Sequence, residues 1–469
     1  MTMRILSCLL AGATLVGAAT PSAAQTATQG PRSERPYRGL FAGDTGNAKQ
    51  LLTLSASFGG GYDDDIFASG GGVGSNTPLT GGSTSYISGS FNLGYSMSTQ
   101  KLSFSARFGS GTGYYPGLSQ PTLVHHSAGV GLTVQTGRHS SLSLNQSETY
   151  QPFFFYTLLP VGVQPVPQEP TFDPANPSSV ADASQATILN EGQPVAADAV
   201  AAQHADYYLA SETDVSYSHE LSQRLHMNLG YGYRRSDSQS GIQEFTSQSG
   251  AGTLSYSLAK GLSLRGGYTR FVADYPQAGG FVQRYTSNNI DAGLGYAKAL
   301  SISRRTSLSF STGTSAVSDT SQVHYALTGN VQLTREIGRT WSAGAGYNRG
   351  VSFIETFRAP VLADSFNAGI GGLLSRNLQV SSGVGVSRGR VGFTANNNYQ
   401  STFVSAGLRY AFSRHLALNG NYAYYRYTMD DSIVLAPGVA RQQNRQSFGF
   451  SVETWLPLIQ RNRSANASR

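Results

Sequence analysis

Residues 401–427 read STFVSAGLRYAFSRHLALNGNYAYYRY, and this stretch decides the fold. Successive side chains of a strand point to opposite faces. Val404, Ala406, Leu408, Tyr410 and Phe412 therefore share one face, against Phe403, Ser405, Gly407, Arg409 and Ala411 on the other. After Ser413-Arg414 the alternation restarts, with Leu416, Leu418, Gly420, Tyr422 and Tyr424 set against His415, Ala417, Asn419 and Asn421. The pattern predicts a hairpin with one apolar side and one small or polar side. Each arm is about the ~9–11 residues that a tilted strand needs to cross a bilayer.

Working outward, the same unit recurs from Leu51 to Thr454 and gives eighteen alternating segments. Their connections fall into two classes. One set is short: 98–100, 137–140, 220–223, 259–261, 300–303, 335–339, 375–377 and 413–414. The other is mostly long: 63–84, 110–125, 150–205, 236–249, 274–284, 351–363, 388–398 and 428–443, with a shorter one at 316–321. Short and long alternate throughout, as periplasmic turns and external loops do in a membrane barrel with both ends on the periplasmic side. The expectation is an all-β chain: a transmembrane antiparallel up-and-down β-barrel of about 18 strands (16–18) over residues 51–458, facing lipid with Val404, Leu408, Leu416 and Leu418 and lumen water with Arg409 and Asn419.

Composition agrees with that pattern. Of 469 residues only 13% are charged and 39% hydrophobic, yet there are 55 Gly, 26 Tyr and 22 Phe. A soluble domain carries roughly 25% charged residues, so the solvating charge is low without a compensating apolar excess. A barrel that turns only alternate residues toward lipid produces this mixture. The segment after the leader holds no apolar run near the ~18 residues of a transmembrane helix.

Arg4 precedes an apolar run from Ile5 to Ala19, and Thr20-Pro21-Ser22-Ala23-Ala24 supplies small residues of the kind a signal peptidase reads. Residues 1–24 are thus expected to be a cleaved export leader, 25–50 a polar periplasmic lead-in and 459–469 a polar tail. Cys8, the single cysteine, lies within the leader, which excludes disulfides and thiolate chemistry from the mature chain. The net charge of +7 is dispersed and does not form a nucleic-acid footprint. An outer-membrane address implies surrounding lipid and lipopolysaccharide, and the barrel-assembly machinery as the inserting partner.

On the inward face, Arg107, Glu212, Asp214, Arg265, Asp291, Arg409 and Glu453 are the charged members. A charge facing lipid at mid-membrane costs roughly 2–4 kcal/mol for Arg or Lys, so these seven are the candidate pore-lining residues, either setting ion selectivity or pairing with one another. Residues 150–205 contain eight of the 18 prolines and read as a long loop, external or folded into the lumen. Asp63-Asp64-Asp65 lacks the spaced ligands of a calcium loop and reads as a solvated turn. The eight histidines show no metal-ligand spacing. No cofactor, metal or catalytic constellation is expected. Tyr231, Tyr233, Tyr268, Tyr296, Tyr347, Tyr422 and Tyr424 are expected near strand ends as an interfacial girdle.

Gly61-Tyr62-Asp63-Asp64-Asp65-Ile66-Phe67 resembles the Tyr-Asp-x-Asn-Ile-Phe signature of an outer-membrane beta-barrel porin family, the beta-barrel porin 2-like group, departing from it at Asp65. The resemblance implies a porin-type barrel and an association with exopolysaccharide genes. Two functions follow as expectations: a channel for passive diffusion of small hydrophilic solutes, or a plugged barrel that serves polysaccharide export or surface attachment.

Overall fold

A computed structural model of the chain describes residues 39–42, 48–64, 83–99, 101–116, 122–152, 207–238, 244–259, 262–276, 281–296, 306–318, 322–338, 340–354, 357, 359–393, 396–433 and 441–462. The leader, most of the lead-in, nearly all of the 150–205 loop, the turn at 300–303, Asp65 and the end of the tail lie outside the described residues.

Eighteen antiparallel strands form one sheet, each pairing with its sequence neighbours: β1 Ala48–Asp63, β2 Thr84–Ser98, β3 Leu102–Tyr114, β4 Thr122–Gln135, β5 Ser140–Pro152, β6 Tyr207–Glu220, β7 Leu225–Ser238, β8 Phe245–Ala259, β9 Leu262–Pro276, β10 Val282–Tyr296, β11 Thr306–Ser318, β12 Val323–Ile337, β13 Trp341–Ile354, β14 Ala359–Leu373, β15 Leu378–Val391, β16 Asn398–Ala411, β17 Leu416–Met429 and β18 Gln442–Asn462. β1 pairs with β18 from Ala48↔Asn462 to Asp63↔Ser447 and closes the sheet into a barrel. Closure satisfies the backbone groups that an open edge would leave orphaned in lipid.

The opening hairpin forms as its alternation dictates. β16 and β17 pair from Tyr399↔Met429 to Ala411↔Ala417. Leu408, Tyr410, Leu416 and Leu418 are exposed on the outer wall, whereas Ser405, Arg409, Ala411, Ala417 and Asn419 are buried on the inner one. Ser413 makes the turn, its Oγ accepting from the amides of His415 and Leu416, both at 3.1 Å.

The strands are longer than the membrane requires, at 13 to 16 residues for β1–β17. The extra length lies at the loop end: the connections expected at 110–125 and 236–249 narrow to 115–121 and 239–244. Apolar-polar alternation records only the part of a strand that separates lipid from lumen. Beyond the bilayer the outer face no longer needs apolar side chains and the alternation fades, while backbone pairing continues.

Four tyrosines mark where the apolar belt ends. Tyr231, Tyr268, Tyr347 and Tyr422 are each the seventh residue of β7, β9, β13 and β17, in mid-strand and not at the strand ends expected from the sequence. Each hydroxyl donates to a polar side chain on the next strand: Gln248 (3.1 Å), Asn288 (2.8 Å), Asp364 and Gln446 (3.3 Å). Outward residues below them are apolar or glycine. Above them stand Arg235, Arg270, Arg349 and Arg426.

The closing seam depends on glycine. A Cβ on Gly59 would overlap the carbonyl oxygen of Phe450 and lie 2.7 Å from Ser451 Cα. Pro457 is accommodated nearby because the ladder steps from Thr53↔Pro457 to Leu52↔Ile459, leaving Leu458 as the extra residue of a bulge.

Replacing Leu408 with Arg places a charge on the lipid wall, and the expected loss is about 2–4 kcal/mol, read as a lower urea midpoint in lipid vesicles. A midpoint equal to that of the parent chain would reject the assignment of this face.

Candidate functional site

The lumen is lined unevenly. Inward residues of β14–β18, including Ser365, Ser387, Ser401, Ser405, Ser447 and Ser451, are buried. On the opposite wall Ser105, Arg107, Asn145 and Ser218 point inward and remain exposed. The first wall is covered by the chain itself, and on the second these four side chains stay exposed while Ser103 and Leu123 are buried.

At the turn end, the cover is the segment before β1. Leu40 N donates to Arg376 O (2.8 Å) and Ala42 N to Arg414 O (3.0 Å), fixing the segment to the turns after β14 and β16. Phe41 and Ala42 then pack against Ala411, Ala417 and Trp455, where the two small residues leave room for the rings. His415 donates from Nδ1 to the Trp455 carbonyl (2.9 Å) and stacks on its indole.

This cover settles the surroundings of two predicted site residues. Arg409 Nη2 lies 2.8 Å from Glu453 Oε2, its side chain 7% and that of Glu453 5% exposed. The Phe41 ring sits 5.4 Å from the guanidinium carbon, close enough for a cation–π contact. Arg409 was expected to meet water, as was Asn419; both point inward, and both are buried. Strand alternation gives the face of a residue and carries no information on what a distant segment lays over it.

The other predicted residues divide by strand pair. Arg265 on β9 and Asp291 on β10 form an ion pair of 3.0 Å, each about a quarter exposed. Glu212 on β6 stands directly opposite Arg234 on β7, and Asp214 opposite Gly232. Arg107 is exposed, its side chain extended over Gly129, where a Cβ would come within 2.9 Å of Nε. The seven residues therefore occupy separate sectors of the wall. Arg234 was not among them, although Arg234-Arg235 necessarily sends one side chain to each face.

A further inward pair was also missed. Asp63, the last residue of β1, receives both Nε (3.0 Å) and Nη2 (2.6 Å) of Arg445 on β18. Both side chains are almost fully buried. Asp64 Oδ1 accepts from the Gln446 amide (2.6 Å). The first two aspartates of the run expected to be a solvated turn therefore lock the seam; one signal was available, since strand alternation points Asp63 inward with Ser57, Gly59 and Gly61.

The loop end of the lumen is apolar. β12 and β13 pair from Ile337↔Trp341 only as far as Gly329↔Arg349. Above that point β12 stays paired with β11 to Val323, and β13 stays paired with β14 to Ile354↔Ala359. The wall forks, and the tip of the β13–β14 hairpin carries Phe353 onto Phe271 of β9, with ring centroids 4.6 Å apart and planes 21° apart. Phe271, Tyr285 and Phe353 pack against buried Phe245, Ala273 and Tyr275. The hairpin's Phe357, Val361 and Ala363 pack with Tyr399, Tyr425, Tyr427, Met429 and Ile433, and Ala210 of β6 joins this group from the far side of the barrel. Phe353 on one side of the hairpin and Phe357 on the other are thus both packed against inner-wall residues.

No family model matches the chain, and no curated protein does. Among solved structures the chain is similar to OccAB4 of Acinetobacter baumannii, at 10% identity, 88% of this chain, 99% of that one and a TM-score of 0.42. It is similar to OccK2 (OpdF) of Pseudomonas aeruginosa, solved with glucuronate, at 10% identity, 90% and 100% coverage and a TM-score of 0.43. It is also similar to the siderophore receptor PirA of Acinetobacter baumannii, at 7% identity, 87% and 80% coverage and a TM-score of 0.41.

Removing one member of the Arg409–Glu453 pair strands a buried charge, so Arg409→Ala should cost roughly 3–5 kcal/mol, whereas Arg409→Met combined with Glu453→Leu should recover most of that loss. Urea unfolding in detergent, followed by fluorescence of the two tryptophans, checks both; an Arg409→Ala midpoint unchanged from the parent would contradict the burial.

The closed barrel, its lipid-facing belt and its charged, partly water-exposed interior make this chain an outer-membrane β-barrel.

Proposed function

We propose that the chain is a channel for the passive passage of small hydrophilic solutes, exported through a leader spanning residues 1–24. The observation that carries the reading is the wall of β3–β6, where Ser105, Arg107, Asn145 and Ser218 face the lumen and are exposed. A water-filled polar interior is what a hydrophilic solute needs, and charged side chains along it bias which ions pass. Arg107 is the exposed cation of that wall and a selectivity candidate. Arg265, Asp291, Glu212 and Asp214 contribute as balanced or acidic sectors. Arg409 and Glu453 act as a structural pair beneath Phe41. Lipid and lipopolysaccharide surround the belt, and the barrel-assembly machinery inserts it.

A second reading, an accessory in polysaccharide export or surface attachment, is favoured by the apolar hairpin in the mouth. Planar-bilayer recording separates the two. Discrete openings over a range of voltages support the channel; a silent refolded barrel supports the accessory.

In a salt gradient, Arg107→Ala should move the reversal potential toward cation preference, while Arg409→Met with Glu453→Leu should leave it unchanged. Equal shifts in both would remove Arg107 from this role. Sequencing of the exported protein should begin at Gln25, and a start within the leader would reject the cleavage site.

A further inference from the structure

The geometry points to a lipopolysaccharide seat on the outer wall: Arg388 of β15 and Arg426 of β17, with Gln400 and Thr402 of β16 between them, hold a phosphate group of that glycolipid. The seat lies on the lipid side and is independent of what passes through the lumen.

Alternation and register place the four residues together. On β15 the outward positions run through Val380, Ser382, Val384 and Val386 into Arg388 and Arg390, and both arginines are exposed. On β17 they pass Tyr422 of the belt edge and Tyr424, then reach Arg426, which is also exposed. Gln400 stands opposite Arg388, and Thr402 opposite Arg426. Strands lie about 4.8 Å apart and rise about 3.4 Å per residue. Two strands and a two-residue step therefore separate the arginine Cα atoms by roughly 12 Å, a gap that two extended side chains narrow to the width of a phosphate group.

These arginines carry charge that no acid answers. Among the described residues no carboxylate pairs with Arg388 or Arg426, whereas the outward Arg235, Arg284 and Arg349 are paired with Asp237, Asp274 and Asp364. Two acids stand nearby, and both are engaged. Asp364, opposite Arg388, accepts from Arg349 Nη1 (3.0 and 3.1 Å) and from Tyr347. Asp430 accepts from the backbone and side-chain amides of Asn398 (2.9 and 2.8 Å). Asn398 is the residue opposite Arg390, so Arg390 stands at the rim of the seat. Past the belt on β3–β5 the outward positions differ: Ser110, His126, Gln146 and Glu148. Arg270 of β9 is exposed, but it stands between Gly250 and Asn288 with no second unpaired arginine beside it.

The wall below the arginines selects a lipid over a free anion. Beneath Arg388 the outward residues are mostly aliphatic, and Val404 and Leu408 of β16 continue that surface alongside. A phosphate seat directly above an aliphatic strip suits an amphiphile whose phosphorylated headgroup is joined to acyl chains. Guanidinium binds phosphate through two parallel hydrogen bonds, and basic clusters at a membrane surface recognise anionic headgroups. The loop end of such a barrel faces the outer leaflet, whose anionic amphiphile is lipopolysaccharide.

The test uses the full chain refolded in detergent and titrated with purified lipopolysaccharide, with bound lipid counted by native mass spectrometry. Arg388→Gln with Arg426→Gln should weaken binding about tenfold or more, while Arg270→Gln should leave it unchanged. Arg388→Lys with Arg426→Lys keeps the charge and should recover part of the affinity. Lipopolysaccharide stripped of its phosphates should bind the parent as weakly as the intact lipid binds the double Gln variant. These side chains are exposed, so the heat-dependent gel shift should persist; if the Gln pair abolishes it, Arg388→Gln alone is read instead, with a loss of about threefold. Affinity unchanged by the Gln substitutions overturns the seat. Equal loss in Arg270→Gln also overturns it, since binding then follows diffuse surface charge. Displacement of lipopolysaccharide by an equal concentration of inorganic phosphate or phosphatidylglycerol overturns it as well, by showing a general anion site.

Discussion

Closure of the backbone ladder is the interaction on which everything else depends. In hydrocarbon no solvent can satisfy an N–H or C=O group, so β1 must meet β18 along its whole length, and it does so over residues separated by nearly the entire chain. That demand explains the glycines at Gly59–Gly61, where the strands approach too closely for a side chain, and the bulge that seats Pro457. It also fixes where the ladder can be relaxed. The fork between β12 and β13 begins at Arg349, just beyond the tyrosine line, where water and headgroups reach the backbone. Arg349 itself caps the carbonyl of Leu327 at the point of departure.

Once closed, the sheet separates two environments with a period of two, and the chain then spends its inner face unevenly. The β14–β18 wall receives the segment before β1 at one end and packs against Phe357 of the β13–β14 hairpin at the other, and its polar inward residues are accordingly buried. On the β3–β6 wall only Ala210 of β6 meets the hairpin's cluster, and Ser105, Arg107, Asn145 and Ser218 stay exposed. Charge follows the same division. Arg409–Glu453 and Asp63–Arg445 are buried pairs that hold elements in place, whereas Arg107 and the Arg265–Asp291 pair keep part of their surface exposed on the inner face.

The strand number and the strand order were legible in the sequence, because each depends only on local alternation and on the lengths of connections. The rest was not. Alternation stops at the edge of the bilayer, so the tops of the strands were read as loops and the tyrosines of the belt edge were placed at strand ends. Side-chain partners across strands depend on register, which the loops set. Burial of Arg409 depends on Phe41, some 370 positions earlier in the chain, and no pattern around Arg409 announces it. The fork is invisible for a related reason: Val323 to Thr328 alternates like any paired strand, and only the absence of its neighbour distinguishes it.

The docking of residues 39–42 also orders the assembly of the barrel in time. Phe41 rests on Arg409, Ala411, Ala417 and Trp455, side chains from β16, β17 and β18, so its seat does not exist until the last strands of the chain are in place. Contacts between such distant residues pay the largest loop-closure entropy and form late. The beginning of the chain thus checks its end: the segment settles only on a finished barrel, and its protection from proteolysis distinguishes completed molecules from those still missing their final hairpin.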